Sequence, residues 1–138
     1  MNRKQIHVPP AIYDSMLVHG KSCLPYEACG LLSGKGNFIK AIWPLENEWK
    51  TAHRFFVSKQ VVEQTVARIT QLGEQVLAVY HSHPTTAPVP SMYDIKNHPD
   101  PTVKMVILSF KTPTPLTKWF DIQGSTYEEC PFFIDHSL

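Results

Sequence analysis

His81 and His83 flank a single serine, and with Ser91 and Asp94 they fall in the run H-S-H-P-T-T-A-P-V-P-S-M-Y-D, which places two imidazoles, a hydroxyl and a carboxylate within fourteen residues. Imidazole and carboxylate are the ligands that zinc takes from proteins, and three of them leave one position of a tetrahedral ion open, the arrangement of a catalytic site. An open position holds water, whose pKa bound zinc lowers to about 7, and the ion can also polarise a carbonyl. Hydrolysis would further need a group that takes the proton from water and returns it to the leaving nitrogen. Each piece also has a plainer reading. A single histidine is more often a hydrogen-bonded neutral side chain than a ligand. Ser91-Met-Tyr-Asp94 has the spacing of a capping box, so it can be nothing more than a helix start. Ser91 can cap and still expose its hydroxyl.

Side chains at i and i+2 do not share a helix face, whereas in a strand they point the same way. The histidine pair therefore predicts a strand, and the apolar run Gln75–Tyr80 before it agrees. Pro84 to Pro90 reads as a loop, followed by a short helix from Ser91 to about His98. Upstream, Pro9 and Pro10 open a first helix that ends near Gly20 to Cys23. Ala28 to Ser33 and Phe38 to Pro44 form a hairpin around Gly34-Lys-Gly-Asn37. Glu46 to His53 is a polar loop, and Arg54 to Val57 a short strand. Ser58 caps a helix whose stripe of Val61, Val62, Thr65, Val66, Ile69 and Leu72 runs to Gly73. Val103 to Phe110, Leu116 to Gln123 and Tyr127 to Ile134 are three more strands. This order predicts an α/β protein of the α+β type: a mixed, partly antiparallel β-sheet flanked by helices.

A chain of 138 residues fits one domain spanning 1–138, with a core that needs no disulfide staples. The 13 basic against 12 acidic residues give a net charge of +1 with no basic cluster, so a nucleic-acid partner is not expected. The N-terminus carries positive charge but no apolar core of a signal peptide, and no stretch is long enough to span a bilayer, so a cytoplasmic location is expected. Cys23, Cys29 and Cys130 form no C-x-x-C pair and read as small, buried or half-buried apolar groups.

Pro25-Tyr-Glu-Ala-Cys-Gly-Leu-Leu-Ser-Gly34, then His81-Ser-His-Pro84, a seven-residue gap, and Ser91 with Asp94 fill every position of a known pattern. The chain resembles the JAMM (MPN-plus, Mov34/MPN/PAD-type) zinc metalloproteases, and in particular their small single-domain prokaryotic members. That resemblance implies one Zn2+ per chain on His81, His83 and Asp94, Glu27 as general acid/base, and Ser91 as oxyanion stabiliser. Composition and spacing do not single out Glu27; the residues say only that it stands at the start of an apolar strand. Glu46, Glu48, Asp100 and Asp121 read as surface carboxylates. His7, His19, His53, His98 and His136 have no partner at ligand spacing, with His98 near enough to support the site.

The implied activity is zinc-dependent hydrolysis of an amide or isopeptide bond. The implied substrate is the C-terminus of a ubiquitin-like sulfur-carrier protein, bound as a strand along a sheet edge. Cell-wall peptides, the substrates of DNA-repair-associated relatives, and a non-catalytic scaffold are the alternatives. A zinc deaminase is disfavoured because H-x-E with P-C-x-x-C is missing.

Overall fold

The computed structural model describes residues 5–138. Its elements, in order, are β1 (Ile6–Val8), α1 (Pro10–Cys23), β2 (Cys29–Lys35), β3 (Phe38–Leu45), α2 (Lys59–Gln71), β4 (Gln75–His83), α3 (Met92–Lys96), β5 (Lys104–Ser109), β6 (Leu116–Gln123), β7 (Thr126–Cys130) and β8 (Phe132–Ile134). The strands form one eight-stranded sheet in the order β7-β6-β5-β4-β2-β3-β1-β8. β4 pairs parallel with β5 and antiparallel with β2, and β1 lies parallel between β3 and β8. The mixed sheet flanked by helices is the α/β architecture that the sequence predicts.

Alternation along the strands divides the sheet into two faces. On one, Met16 of α1 packs with Val8, Leu32, Ile39, Tyr80, Val106, Leu108 and Trp119 into the larger core. His19 fastens α1 to this face, its Nδ1 2.7 Å from the Tyr80 hydroxyl. The Tyr80 ring lies where a side chain on Gly30 would project, so only glycine fits there. On the other face Met105, Ile107, Phe120 and Ile122 form a smaller cluster against Ile95 of α3.

The structure departs from the sequence reading in four places. Arg54 to Val57 is irregular backbone rather than a strand. Its carbonyl at Arg54 and its amide at Phe56 bond instead to the Asn47 side chain, at 2.9 and 3.2 Å. The run Tyr127 to Ile134 is broken at Pro131, which cannot donate to a ladder. Residues on either side join opposite edges of the sheet as β7 and β8. Finally, β1 was not anticipated, because three residues ahead of two prolines carry no readable period. The α2 stripe is also less buried than its period suggests. Ile69 alone is buried, while Val61, Val66 and Leu72 are exposed. Among the described residues no helix is long and apolar enough to cross a membrane.

Candidate metal centre

The pairing of β2 with β4 carries Glu27 to the histidines. Cys29 is the partner of His81, and one step further the Ser82 amide donates to the Ala28 carbonyl at 3.0 Å. The Ser82 hydroxyl, on the opposite face, accepts from the Ala28 amide at 2.8 Å. Continuing that register sets Glu27 opposite His83, on the face that also carries His81. Antiparallel pairing thus joins residues that lie far apart in sequence.

α3 supplies the third candidate ligand, and the capping box is real: the Asp94 amide donates to Ser91 Oγ at 3.0 Å and the Ser91 amide to Asp94 Oδ2 at 2.9 Å. The same Oδ2 lies 3.2 Å from His81 Nε2 and 3.1 Å from His83 Nε2. The carboxylate that caps the helix is thus the one that meets both histidines, and the helix start is what aims it. Ser91 Oγ acts in the box as an acceptor only, so its proton is left to donate elsewhere.

Ligand atoms of His81, His83 and Asp94 all lie within 4.8 Å of one another, and all three residues are buried. His83 Nδ1 stands 2.8 Å from the Ala87 carbonyl, which can only accept, so Nδ1 carries a proton there. Its Nε2 is 3.1 Å from Asp94 Oδ2, at hydrogen-bond distance, and is the nitrogen turned towards the other two groups. Neither nitrogen of His81 completes a hydrogen bond among the described residues, and Glu27 Oε1 is buried in the same condition. Buried imidazole and carboxylate atoms that converge on one point need a shared cation or shared protons between them. Two imidazoles and a carboxylate are the donor set zinc accepts, and the Ala87 contact to the far nitrogen of His83 is the kind of support that fixes a ligand's tautomer. The residues present fit the metal. Phe55 stacks on the His81 ring at 5.0 Å and holds its plane.

Burial raises the pKa of Asp94, but the His81 and His83 imidazoles and the Ser91 amide outweigh it and hold the carboxyl well below the usual range. Glu27 goes the other way. Burial first, and then the negative charge of Asp94, push it from 4.5 up to about 9 without a metal. In the metal-free fold Glu27 therefore keeps its proton where the unfolded chain has lost it. Stability from this source is full below about pH 4.5 and falls as pH rises towards 9. With chelator present, the urea midpoint is expected to drop between pH 5 and pH 8. Glu27→Gln should flatten the drop; equal drops in both proteins would refute the account.

One organising residue escaped the sequence reading. Asn47, buried in the polar loop, donates from Nδ2 to the carbonyls of Glu27 and Arg54 and accepts at Oδ1 from the amides of Trp49 and Phe56. It fastens the 46–57 loop to the backbone of Glu27. No local pattern marks an isolated asparagine for this role. His98 donates from Nε2 to the Val103 carbonyl at 2.6 Å and lines the cavity beside the site without reaching the ligands. His7 bonds to Asp135 and His19 to Tyr80, so neither joins the cluster. No cysteine forms a disulfide among the described residues, and burial pushes the Cys29 thiol up to about 12, far from a reactive thiolate.

The fold has close counterparts. A protein of Desulfitobacterium hafniense superposes with a TM-score of 0.85 at 29% identity, over 95% of this chain and 93% of that one. A JAB1/MPN domain protein from Archaeoglobus fulgidus gives 0.62 at 20% identity, over 94% and 100%. A structure described as a metalloprotease-like zinc site in the proteasome and signalosome gives 0.57 at 16% identity, over 94% and 99%. No curated protein matches the sequence closely enough to count as a relative. The family model for prokaryotic homologs of the JAB domain matches residues 9–121, which takes in Glu27, both histidines, Ser91 and Asp94. With that match over most of its length, the chain belongs to the prokaryotic JAB-domain family.

Proposed function

We propose that this protein is a zinc-dependent peptidase that hydrolyses an amide or isopeptide bond at the C-terminus of a ubiquitin-like, sulfur-carrier type of protein. The observation that carries the reading is the convergence of His81, His83 and Asp94 within 4.8 Å, with Glu27 buried on the same face and one of its oxygens without a partner. His81 Nε2, His83 Nε2 and Asp94 Oδ2 would hold the ion. Zinc bound there would supply Lewis acidity, making water acidic and the substrate carbonyl electrophilic.

The remaining steps belong to the chain's own groups. Glu27 takes a proton as the water oxygen bonds to the carbonyl carbon, then delivers it to the nitrogen as the C–N bond breaks. Its burial suits the task, because a carboxylate lifted above its ordinary range accepts protons more readily, and a nearby cation would bring its pKa down towards neutrality. The Ser91 hydroxyl proton, unspent in the capping box, donates to the developing oxyanion.

The test is incubation of the zinc-loaded protein with ubiquitin-like carriers bearing C-terminal extensions, followed by intact mass. Cleavage at the carrier's end is expected. Cleavage only of unrelated peptides would overturn the substrate class, and cleavage of none would favour a binding module. Ser91 gives a sharper check. Ser91→Ala should lower kcat about 10²- to 10³-fold and cost roughly 0.5–2 kcal/mol of stability through the lost cap. Ser91→Gly keeps much of the capping preference without the hydroxyl. It should recover most of the stability and none of the rate; recovery of both would leave Ser91 with the cap alone.

A further inference from the structure

Between the sheet and the segment from Phe55 to α3 lies a cavity of about 290 Å³, lined by Leu31, Val57, Val62, Val79 and Met105 together with His81 and Asp94. The loose seating of α2 makes it: the helix buries Ile69 alone, and Val62, nearer its start, overlooks the space. The volume falls just under the ~300 Å³ at which small-ligand sites begin, so it suits one side chain better than a cofactor. Apart from the ligands themselves, its polar wall groups are the thiol of Cys29 and the side chains of Tyr93, Asn97 and His98. The Asn97 amide donates to Tyr93 and His98 Nε2 to Val103, so these donors are already engaged. No lysine, arginine or glutamate lines it to neutralise a charged occupant.

We infer that this cavity is a specificity pocket for a bulky apolar side chain on the acyl side of the scissile bond. The inference rests on the hydrolase reading of the metal centre. His81 and Asp94 form one wall, so whatever fills the cavity lies within a residue or two of the reacting carbonyl. The side follows from the proposed substrate, in which the carrier's own chain lies before the scissile bond and is what the enzyme recognises. The more polar cleft that Glu27 lines with His19, Cys23, Glu46 and Lys50 includes none of His81, His83 and Asp94, so the apolar cavity is the one of the two that reaches that cluster. Phe56 and Tyr93, on the cavity wall, continue outward to Trp49, which stacks on Phe56 at 5.1 Å. Trp49 and Phe56 are 49% and 41% exposed, an aromatic ledge that the acyl-side chain would cover.

Two measurements test this on the zinc-loaded full chain. In the first, glycine-serine peptides carry one leucine at the first, second or third acyl-side position or at the first amine-side position, and cleavage is followed by mass spectrometry. Leucine at one acyl-side position is expected to raise kcat/KM about 10- to 100-fold over glycine, with lysine and glutamate there no better than glycine. In the second, calorimetry compares binding of the corresponding acyl-side product peptides, with and without the leucine, and needs no turnover. Val62→Phe, on a largely exposed helix, should fill the cavity and bring the leucine-to-glycine ratio to about one in both assays, the ratio being read within each protein. Hydrolysis without an acyl-side preference, or a preference that survives Val62→Phe, overturns the pocket and leaves the hydrolase reading intact. A Val62-dependent binding preference without hydrolysis supports the pocket and counts against the hydrolase.

Discussion

Replacing His81 and His83 together by alanine is expected to abolish zinc binding, taking the protein from about one ion per chain to none by elemental analysis, because two of three ligands are gone. Hydrolysis should fall to background with it. A metal that binds only the folded state stabilises it by about 2.7 kcal/mol at a hundred times its dissociation constant. Added zinc should accordingly raise the urea midpoint of the parent and leave the double variant unmoved. The variant also strips Asp94 of both imidazole neighbours, so its own midpoint falls, at about 1–3 kcal/mol for a buried group left short of partners. The comparison must therefore be the zinc-dependent shift within each protein. Full metal retention in the double variant would place the ion elsewhere.

Glu27→Gln is the second large effect, and it separates proton transfer from metal binding. Glutamine keeps the volume and the polar end but cannot take a proton from water, so zinc content should stay at the parental value while kcat falls about 10²- to 10⁴-fold. A KM close to the parental one would show that the substrate still docks. Turnover at the parental rate would remove Glu27 from the chemistry. Loss of zinc in this variant would instead show that Glu27 takes part in holding the ion.

The parts of the molecule that were legible beforehand are those with a period or a spacing. His81 and His83 at i and i+2 forced a strand, and the strand is there; Pro10 opens α1, which ends at Cys23 as its glycine and cysteine suggested. Ser91 and Asp94 were legible as a cap, and the structure shows the capping carboxylate also meeting both histidines. Glu27 was visible only through family resemblance, since its neighbourhood is created by long-range pairing of β2 with β4. Asn47 and the irregular Arg54 to Val57 segment were illegible for a related reason: side-chain bonds to backbone, rather than periodic burial, decide them. The α2 stripe promised more contact than the helix makes, because period reports which face turns inward and not how closely it is pressed.

Pro131 alone separates the two edge strands, so the sheet's rims are drawn together on the face that carries α1, where Trp119 of β6 stacks on Phe132 of β8 at 5.7 Å. This bears on how a substrate approaches. β4 stands three strands in from β7 and four in from β8, so at the usual spacing a tail added along the nearer rim, four spacings out, would run about 19 Å from the histidines. If the proposed hydrolase reading holds, a carrier's C-terminus would reach His81 across the ends of the strands, crosswise to the sheet. Both rims are short, five residues in β7 and three in β8, so templated growth of one copy upon another finds little purchase.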